Sequence, residues 1–485
     1  MPQVVISNRS LVLPELYQPI FGHPELSVQA SRPCAERFRE IAGVYCALRQ
    51  WHGRPLRILD LGCAQGFFSF NLANLNASVL GIDICPENIE LCTTLAAQYP
   101  KLQLTFECAS IEKFLEGSLQ QFDLVLGLSV FHHICHEKGF EYTRGLLSVV
   151  AQKTEVFLFE SALRSEPLYW SPSLPEEPRD FLEAFSFTHR LSEHTTHLSE
   201  IPRPLYFCSN SLWYLAGELG YFESWTDHQH ELVGDTYAGT RRYFFSDFTI
   251  VKYFIRKGHL VDVNKEELEQ EARILKSPPT GLAPVPMLLA FGITERECWL
   301  VRESLPGERL SKLIVSGLAY NPGKIVGTIL QQLACLESQG LYHNDVRTWN
   351  VFVSDIEGAF LIDFGAITTK KRDCVWPFNL YLSFLIFVVE VFGRQLTYVA
   401  PTRPPMFSPE HFPDLLQPWA RAIWRTDNRE WSFALFLQLL GESRTLTDGA
   451  VQEDRIAPEN LALWMSVIEK HLDASALQFN RVHRS

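Results

Sequence analysis

Residues 56–66 read Leu56-Arg57-Ile58-Leu59-Asp60-Leu61-Gly62-Cys63-Ala64-Gln65-Gly66, a short apolar run that stops in a glycine turn. A run of this length bounded by glycine reads as a buried strand. The turn then opens into a helix through Phe67 to Leu75. The same rhythm repeats downstream, with strand-like Ser78–Asp83, Leu104–Glu107, Phe122–Leu126 and Val156–Phe159 separated by helix-like segments. Strands alternating with helices predict a doubly wound, mostly parallel α/β sheet, which binds ligands beyond the carboxyl ends of its strands.

The residues at those ends give the ligand its character. Gly62, Ala64 and Gly66, beside Asp60, are small enough for a ligand to approach the backbone. The turn lacks the close G-x-G-x-x-G that seats a pyrophosphate on a helix N-terminus, which disfavours a dinucleotide. Asp83 ends the second strand, where a carboxylate can accept from both ribose hydroxyls. Ala109 and Ser110 follow the third strand, at the depth of an adenine edge. The set suits a nucleoside cofactor without phosphates. Over about residues 30–165 it resembles the class I S-adenosylmethionine-dependent methyltransferases, with Ala64 standing where glycine is commonest. The fourth strand ends in Gly127-Leu128-Ser129-Val130-Phe131-His132-His133-Ile134, and Leu128 is counted with the cofactor site. Two readings of His132 and His133 stay open. They hold or deprotonate the methyl acceptor, or one of them caps the next helix or fills the core.

Strand-like Tyr243–Phe245 and Phe248–Phe254 begin a different organisation, followed by a helix from Lys265 to Leu275 that Ser277-Pro278-Pro279 ends. Lys252 on the strand and Glu271 on the helix match the lysine that holds ATP phosphates and the glutamate that fixes it. His343-Asn344-Asp345-Val346-Arg347-Thr348-Trp349-Asn350 matches the kinase catalytic loop H-R-D-L-x-x-x-N, and Asp363-Phe364-Gly365 follows it. Asp345 is expected to orient an acceptor hydroxyl and take its proton. Asn350 and Asp363 are expected to hold Mg2+, and Arg347 to neutralise charge on the phosphoryl group. Backbone groups of Glu303, Ser304 and Leu305 are expected to meet adenine.

Two features depart from the protein-kinase pattern. No G-x-G-x-x-G precedes Lys252, so phosphate cover is expected partly from Arg241-Arg242, behind Gly234 and Gly239. No A-P-E follows Gly365, and Asp373-Cys374-Val375-Trp376-Pro377 arrives soon after it. That leaves little room for a peptide-docking platform and favours a non-protein acceptor.

The 485 residues suit two or three domains, and a net charge of −13 argues against a broad nucleic-acid footprint. The opening MPQVVISNRS lacks the features of a signal peptide. The apolar run Leu380–Phe392 contains Glu390 and is too short to span a bilayer. Eleven scattered cysteines without a CxxC pair read as reduced cytosolic thiols rather than disulfides or a zinc site. Residues 165–204 read as an irregular cover. The expected division is a methyltransferase domain over 1–205, a bilobal α+β kinase-like domain over 206–455, and a C-terminal helix over 456–485. That helix is either the start of a coiled coil or an ordinary packing helix.

The order of the two domains resembles the bacterial O-antigen chain-terminating bifunctional methyltransferase–kinases of the WbdD type, from about Leu13 to Leu472. The resemblance is carried by LPELYQPIFGHPE from Leu13, DLGCAQGFFS from Asp60, GLSVFHHI from Gly127 and HNDVR from His343. It implies a lipid-linked O-antigen polysaccharide acceptor, built on undecaprenyl diphosphate at the cytoplasmic face of the inner membrane. The kinase would phosphorylate the non-reducing terminal sugar, typically mannose. The methyltransferase would then methylate that phosphate and end elongation. The implied cofactors are S-adenosylmethionine, ATP and Mg2+, with Tyr17, Gln18 and Arg37 contacting the methyl donor. Implied partners are the polymerising glycosyltransferase, reached through a C-terminal extension, and further copies of the chain as a trimer if a coiled coil follows. The alternative is a sugar O-methyltransferase whose silent kinase domain acts as a scaffold.

Overall fold

A computed structural model describes the chain apart from residues 1–2, 7–8, 14, 118–119, 229–236, 238, 357, 375, 397–407, 444–455 and 483–485; for 3–6, 9–12, 443 and 471–482 it describes the backbone. The chain divides into two compact units, Met1–Glu223 and Ser224–Ser485.

The first unit is built on a seven-stranded sheet. Its strands are β1 (Arg57–Leu61), β2 (Ser78–Asp83), β3 (Gln103–Cys108), β4 (Phe122–Leu128), β5 (Thr154–Glu160), β6 (Phe187–His194) and β7 (Arg203–Ser209), in the order β3-β2-β1-β4-β5-β7-β6. The first five run parallel, as expected from the alternating pattern. The reversal of order between β1 and β4 leaves a crevice at their carboxyl ends, where such sheets take ligands. Helix α1 (Ala35–His52) turns Ile41, Val44, Tyr45 and Leu48 inward and stops at left-handed Gly53. Helix α2 (Phe67–Asn74) starts straight from the glycine turn.

Two expectations for this unit are corrected. The stretch read as an irregular cover contains β6, and the boundary expected between residues 205 and 206 falls inside β7. β7 pairs antiparallel with β5 on one side and β6 on the other, and all seven of its residues are buried. Pro204 sits inside that strand, opposite Glu193. Proline argues against an interior strand, and this is why the sequence reads there as a border.

The second unit opens with a five-stranded antiparallel sheet. Its strands are β8 (Ser224–Thr226), β9 (Arg241–Phe245), β10 (Thr249–Ile255), β11 (Leu288–Ile293) and β12 (Glu297–Glu303), ordered β8-β9-β10-β12-β11. Helix α3 (Val261–Lys276) packs Leu268, Ala272 and Leu275 into the core. The rest is mainly helical: α4 (Pro322–Ser338), α5 (Leu380–Gly393), α6 (Gln417–Arg425), α7 (Phe433–Ser443) and α8 (Pro458–Val482). α5 is the expected apolar helix, buried along nearly its whole length with Glu390. Among the described residues no helix is long and apolar enough to cross a membrane. All eleven cysteines are free.

α8 carries two apolar stripes. Trp464 and Val467 are buried in the core, and Trp464 stacks on Trp424 with ring centroids 5.4 Å apart and planes 12° apart. Leu461, Met465 and Ile468 form a second, exposed stripe. The side chain of Leu472 lies outside the described residues. The first turns of α8 are therefore a packing helix. Trp464→Ala should destabilise the second unit by about 3–5 kcal/mol, read from its urea-unfolding transition.

Candidate active sites

In the first unit the glycine turn is curled by three left-handed residues: Gly62 (φ 71°), Ala64 (φ 48°) and Gly66 (φ 76°). A Cβ on Gly62 would come within 3.0 Å of Val130 Cγ2, so both the backbone angle and the space require glycine. Asp83 ties the turn to β2. Its Oδ2 accepts from the Ala64 amide and its Oδ1 from the Cys85 amide, both at 2.8 Å. Its Oδ1 also accepts from Asn88 Nδ2 at 3.5 Å, so of about four acceptor sites Asp83 keeps about one for a ribose hydroxyl. Asp60 is buried and accepts from Ser69 Oγ at 2.6 Å; burial pushes its carboxyl up to about 6. The Ala109 amide donates to the Asp83 carbonyl, and Ser110 Oγ accepts from the Lys113 amide as a helix cap. Leu128 closes β4 and is half-buried. An acceptor site left on Asp83, beside a turn with no side chain larger than methyl at three positions, fits a nucleoside cofactor.

The residues expected to meet the cofactor from the N-terminal segment are already engaged within the protein. Gln18 Oε1 accepts from the Phe67 amide at 3.0 Å, and the Gln18 amide donates to Gln65 Oε1 at 2.9 Å. Gln18 thus pins the segment to the start of α2. Arg37 is buried, lies over the Phe68 ring, and donates from one nitrogen to both oxygens of Glu160, at 2.9 and 3.1 Å; its Nε has no partner. The Tyr17 hydroxyl accepts from Arg32 at 2.6 Å.

Arg32, Ser129, Glu160, Glu166 and Arg203 were not singled out from the sequence. Glu160 ends β5 much as Asp83 ends β2, a signal that was available. Burial works to raise the Glu160 carboxyl, but Arg37 and Arg32 outweigh it and hold it down to about 2. Arg203 was hidden in the stretch read as cover.

His132 is only 1% exposed, with its ring 4.2 Å from His133 and 4.9 Å from Trp170. The helix that holds both histidines, Phe131–Lys138, has Val130 as its N-cap and no side-chain cap, which removes the capping reading. Burial lowers the proton affinity of both rings, and nearby Arg203 lowers it further. Both shifts favour the neutral ring.

In the second unit a cavity of about 880 Å³ gathers Lys252, Ser304, Leu305, Asp345, Asn350 and Asp363 along its wall. Lys252 Nζ lies 2.5 Å from Glu271 Oε2 and 3.3 Å from Asp363 Oδ1. Burial alone would lower the Lys252 ammonium, but Glu271 and Asp363 outweigh it and keep it charged. Asn350 Nδ2 donates to Asp345 Oδ2 at 2.7 Å and to the Asp345 carbonyl at 2.9 Å, turning its amide oxygen toward other partners. Asp363 sits at φ 63°. The free oxygens of Asp363 and Asn350 are a hard donor set that fits Mg2+. Burial raises the Asp345 carboxyl, against the pull of Arg347.

Three expectations for the second unit are corrected. Arg347 is fully buried and forked onto Asp373, at 3.0 and 2.6 Å, with its Nε 3.5 Å from Asp345 Oδ1. It positions the catalytic loop rather than reaching a phosphoryl group, and Asp373 was not foreseen. Arg241 is likewise consumed. It bonds Asn264 and both oxygens of Glu267 and stacks on Tyr237 and Phe254, so it covers no phosphate. Gly234 lies outside the described residues. At the hinge, the Glu303 amide donates to the Met287 carbonyl and the Ser304 amide to the Phe248 carbonyl. Ser304 and Leu305 line the cavity, whereas Glu303 does not.

A methyltransferase-domain family profile matches residues 53–161. The chain is 39% identical over 464 residues to the O-antigen chain terminator bifunctional methyltransferase/kinase WbdD of Escherichia coli, covering 93% of this chain and 65% of that protein. The chain thus spans just under two thirds of the length of such curated relatives. It is similar to a solved structure of the bifunctional kinase-methyltransferase WbdD, with a TM-score of 0.80, 38% identity, and coverage of 94% of this chain and 98% of that one. A WbdD structure with an ordered C-terminal bundle matches with a TM-score of 0.86 and 37% identity over 97% of each chain.

Asp373→Ala would leave the buried Arg347 guanidinium with only the 3.5 Å contact to Asp345 as an ion pair, and should destabilise the second unit by about 3 kcal/mol in denaturant unfolding. His132 generates a pH prediction. Its ordinary value is 6.5 and its folded value lies well below that. The unfolded chain therefore binds the extra proton, and stability falls as pH drops through about 6.5. Glu160 acts in the same direction at lower pH, its contribution lost as pH falls from its ordinary 4.5 towards about 2. In calorimetry of the full chain, the deficit of His132→Gln relative to wild type should shrink from about pH 7 to about pH 5.

Proposed function

Because the chain belongs to the O-antigen chain-terminating bifunctional methyltransferase–kinases, we propose that it phosphorylates the terminal sugar of a lipid-linked O-antigen polysaccharide and then methylates that phosphate, so that elongation stops. The observation that carries this reading is the assembled Lys252–Glu271 pair in one cavity with Asp345, Asn350 and Asp363. The pair fixes a charged lysine at the cavity wall, where the phosphates of ATP would need it.

Mg2+, held by Asp363 and Asn350, would offset charge on the phosphates of ATP. Lys252, fixed by Glu271, holds the α and β phosphates. Ser304 and Leu305 meet adenine at the hinge. Asp345 orients the sugar hydroxyl and takes its proton, and its raised carboxyl makes it a better acceptor than an exposed aspartate. Arg347, braced by Asp373, keeps that carboxylate in place.

S-adenosylmethionine supplies the methyl group in the second step. Asp83 holds its ribose, beside the Gly62–Gly66 turn. A phosphate oxygen is already ionised at neutral pH, so methyl transfer needs proximity and orientation rather than a strong base. Neutral His132 and His133 suit contact with the acceptor and do not require a proton to be removed. The acceptor sugar in this reading is mannose, and the enzyme works at the cytoplasmic face of the inner membrane beside the polymerising glycosyltransferase. The exposed Leu461, Met465 and Ile468 stripe, spaced four and three, supports self-association through α8, with a trimer as the proposed state.

The test uses a short oligomannoside, Mg-ATP and labelled S-adenosylmethionine, with product mass followed in the presence and absence of ATP. The expected result is a phosphate and then a methyl, only with ATP, with Asp345→Ala lowering the first step by about 100-fold or more. Methylation without ATP would overturn the order and favour direct methylation of a sugar hydroxyl.

A further inference from the structure

Arg32 and Arg203 lie far apart in sequence and meet at one atom. Arg32 donates to Ser129 Oγ at 2.8 Å and Arg203 at 3.3 Å. Both guanidiniums are nearly sealed from water, at 1% and 3% exposure, while Ser129 is half-exposed above them. Each arginine is also gripped by a carboxylate, and Glu160 Oε1 accepts from Ser129 Oγ as well. Arg32 bonds Glu160 at 2.5 Å, and Arg203 forks onto Glu166 at 2.8 and 2.6 Å. This leaves one nitrogen of each guanidinium pointing to the same spot, with the Tyr17 hydroxyl on the Arg32 nitrogen as well. In direct contact, three buried guanidiniums (Arg32, Arg37 and Arg203) share only two buried carboxylates, Glu160 and Glu166. Buried charge normally finds its partner, so a cluster with donors in excess is built to receive an anion.

The place and the neighbours point the same way. Ser129 immediately follows β4 and holds φ 57°, a conformation that costs a non-glycine residue about 1–3 kcal/mol and gathers at binding sites. Its amide donates to the Glu160 carbonyl. His132 Nδ1 is buried without a partner, and both arginines lie near enough to depress its proton affinity. In the sheet order β3-β2-β1-β4-β5, the glycine turn, Asp83, Ala109 and Ser110 belong to the β1–β3 side, whereas Leu128 and this cluster lie at the ends of β4 and β5.

We propose that Arg32, Ser129 and Arg203 hold the phosphoryl anion of the methyl acceptor, with Glu160 and Glu166 as the positioning residues that aim the two guanidiniums. The assignment of the anion to a phosphorylated sugar rests on the function proposed above. Guanidiniums fixed by carboxylates, each with its other terminal nitrogen on Ser129 Oγ, match the oxygens of a phosphate that would take the place of that hydroxyl, and they do so without a general base.

The test uses the full chain, Ser129→Ala, and the double variant Arg203→Met with Glu166→Met, which removes a buried pair together and leaves no orphaned charge. Three quantities are measured: affinity for inorganic phosphate with S-adenosylhomocysteine bound, affinity for S-adenosylhomocysteine itself, and KM for the phosphorylated oligosaccharide. The double variant should lose about tenfold or more in phosphate affinity, with KM raised by a similar factor, as expected for a lost charge-assisted hydrogen bond. Ser129→Ala should lose less, and S-adenosylhomocysteine affinity should stay within about twofold in both variants. The proposal is overturned if the wild type takes up no phosphate, or if the variants bind phosphate as tightly as the wild type. A loss of S-adenosylhomocysteine affinity with phosphate binding intact also overturns it, by giving the arginines to the cofactor carboxylate. Because inorganic phosphate is titrated directly, methylation of an unphosphorylated sugar would sink the proposed function and leave this readout independent.

Discussion

Glu160 is completely buried at the end of β5, and the side chains of Arg32, Arg37 and Ser129 converge on it. An ionised carboxylate without partners could not remain there, because burial would drive it neutral. Its guanidinium partners come from the N-terminal segment and from α1, so pairing this one charge draws those elements over the carboxyl ends of the sheet. The walls of the first site follow from that requirement. Arg203 and Glu166 repeat the device one strand farther along.

The second unit obeys the same constraint with different residues. Lys252 with Glu271, Arg347 with Asp373 and Arg241 with Glu267 are ion pairs in which at least one partner is sealed from water. Desolvation cancels much of the attraction in such pairs, so their main contribution is geometric. Each holds a functional element in one position: Lys252 over the cavity, the catalytic loop around Asp345, and β9 against α3. Two of the three involve arginines that the sequence offers as phosphate ligands, and folding has used both as braces.

The parts legible in the sequence are those where chemistry and local backbone coincide. Gly62 and Gly66 mark a left-handed turn after a buried strand, and Asp83 marks the end of the next one. His343 to Asn350 places a base and a metal ligand on one short loop, where spacing alone carries the meaning. The apolar run of α5 announces a buried helix in spite of Glu390. These signals survive because each depends on a few neighbouring residues.

Other features depend on contacts across many residues. Pro204 sits inside a fully buried strand because β5 and β6 cover both its edges, which no local pattern around proline conveys. Arg241 and Arg347 are indistinguishable from phosphate ligands until Glu267 and Asp373 are found beside them. The meeting of Arg32, Ser129 and Arg203 exists only once β4, β5 and β7 are neighbours. The amino-acid sequence by itself determined the order of the two folds and the chemistry of their turns and loops, since those are set by short-range sterics and residue type. Which charges are exposed for chemistry and which are consumed in pairing was decided by the tertiary structure alone, because the cost of burying a charge depends on what folding brings next to it.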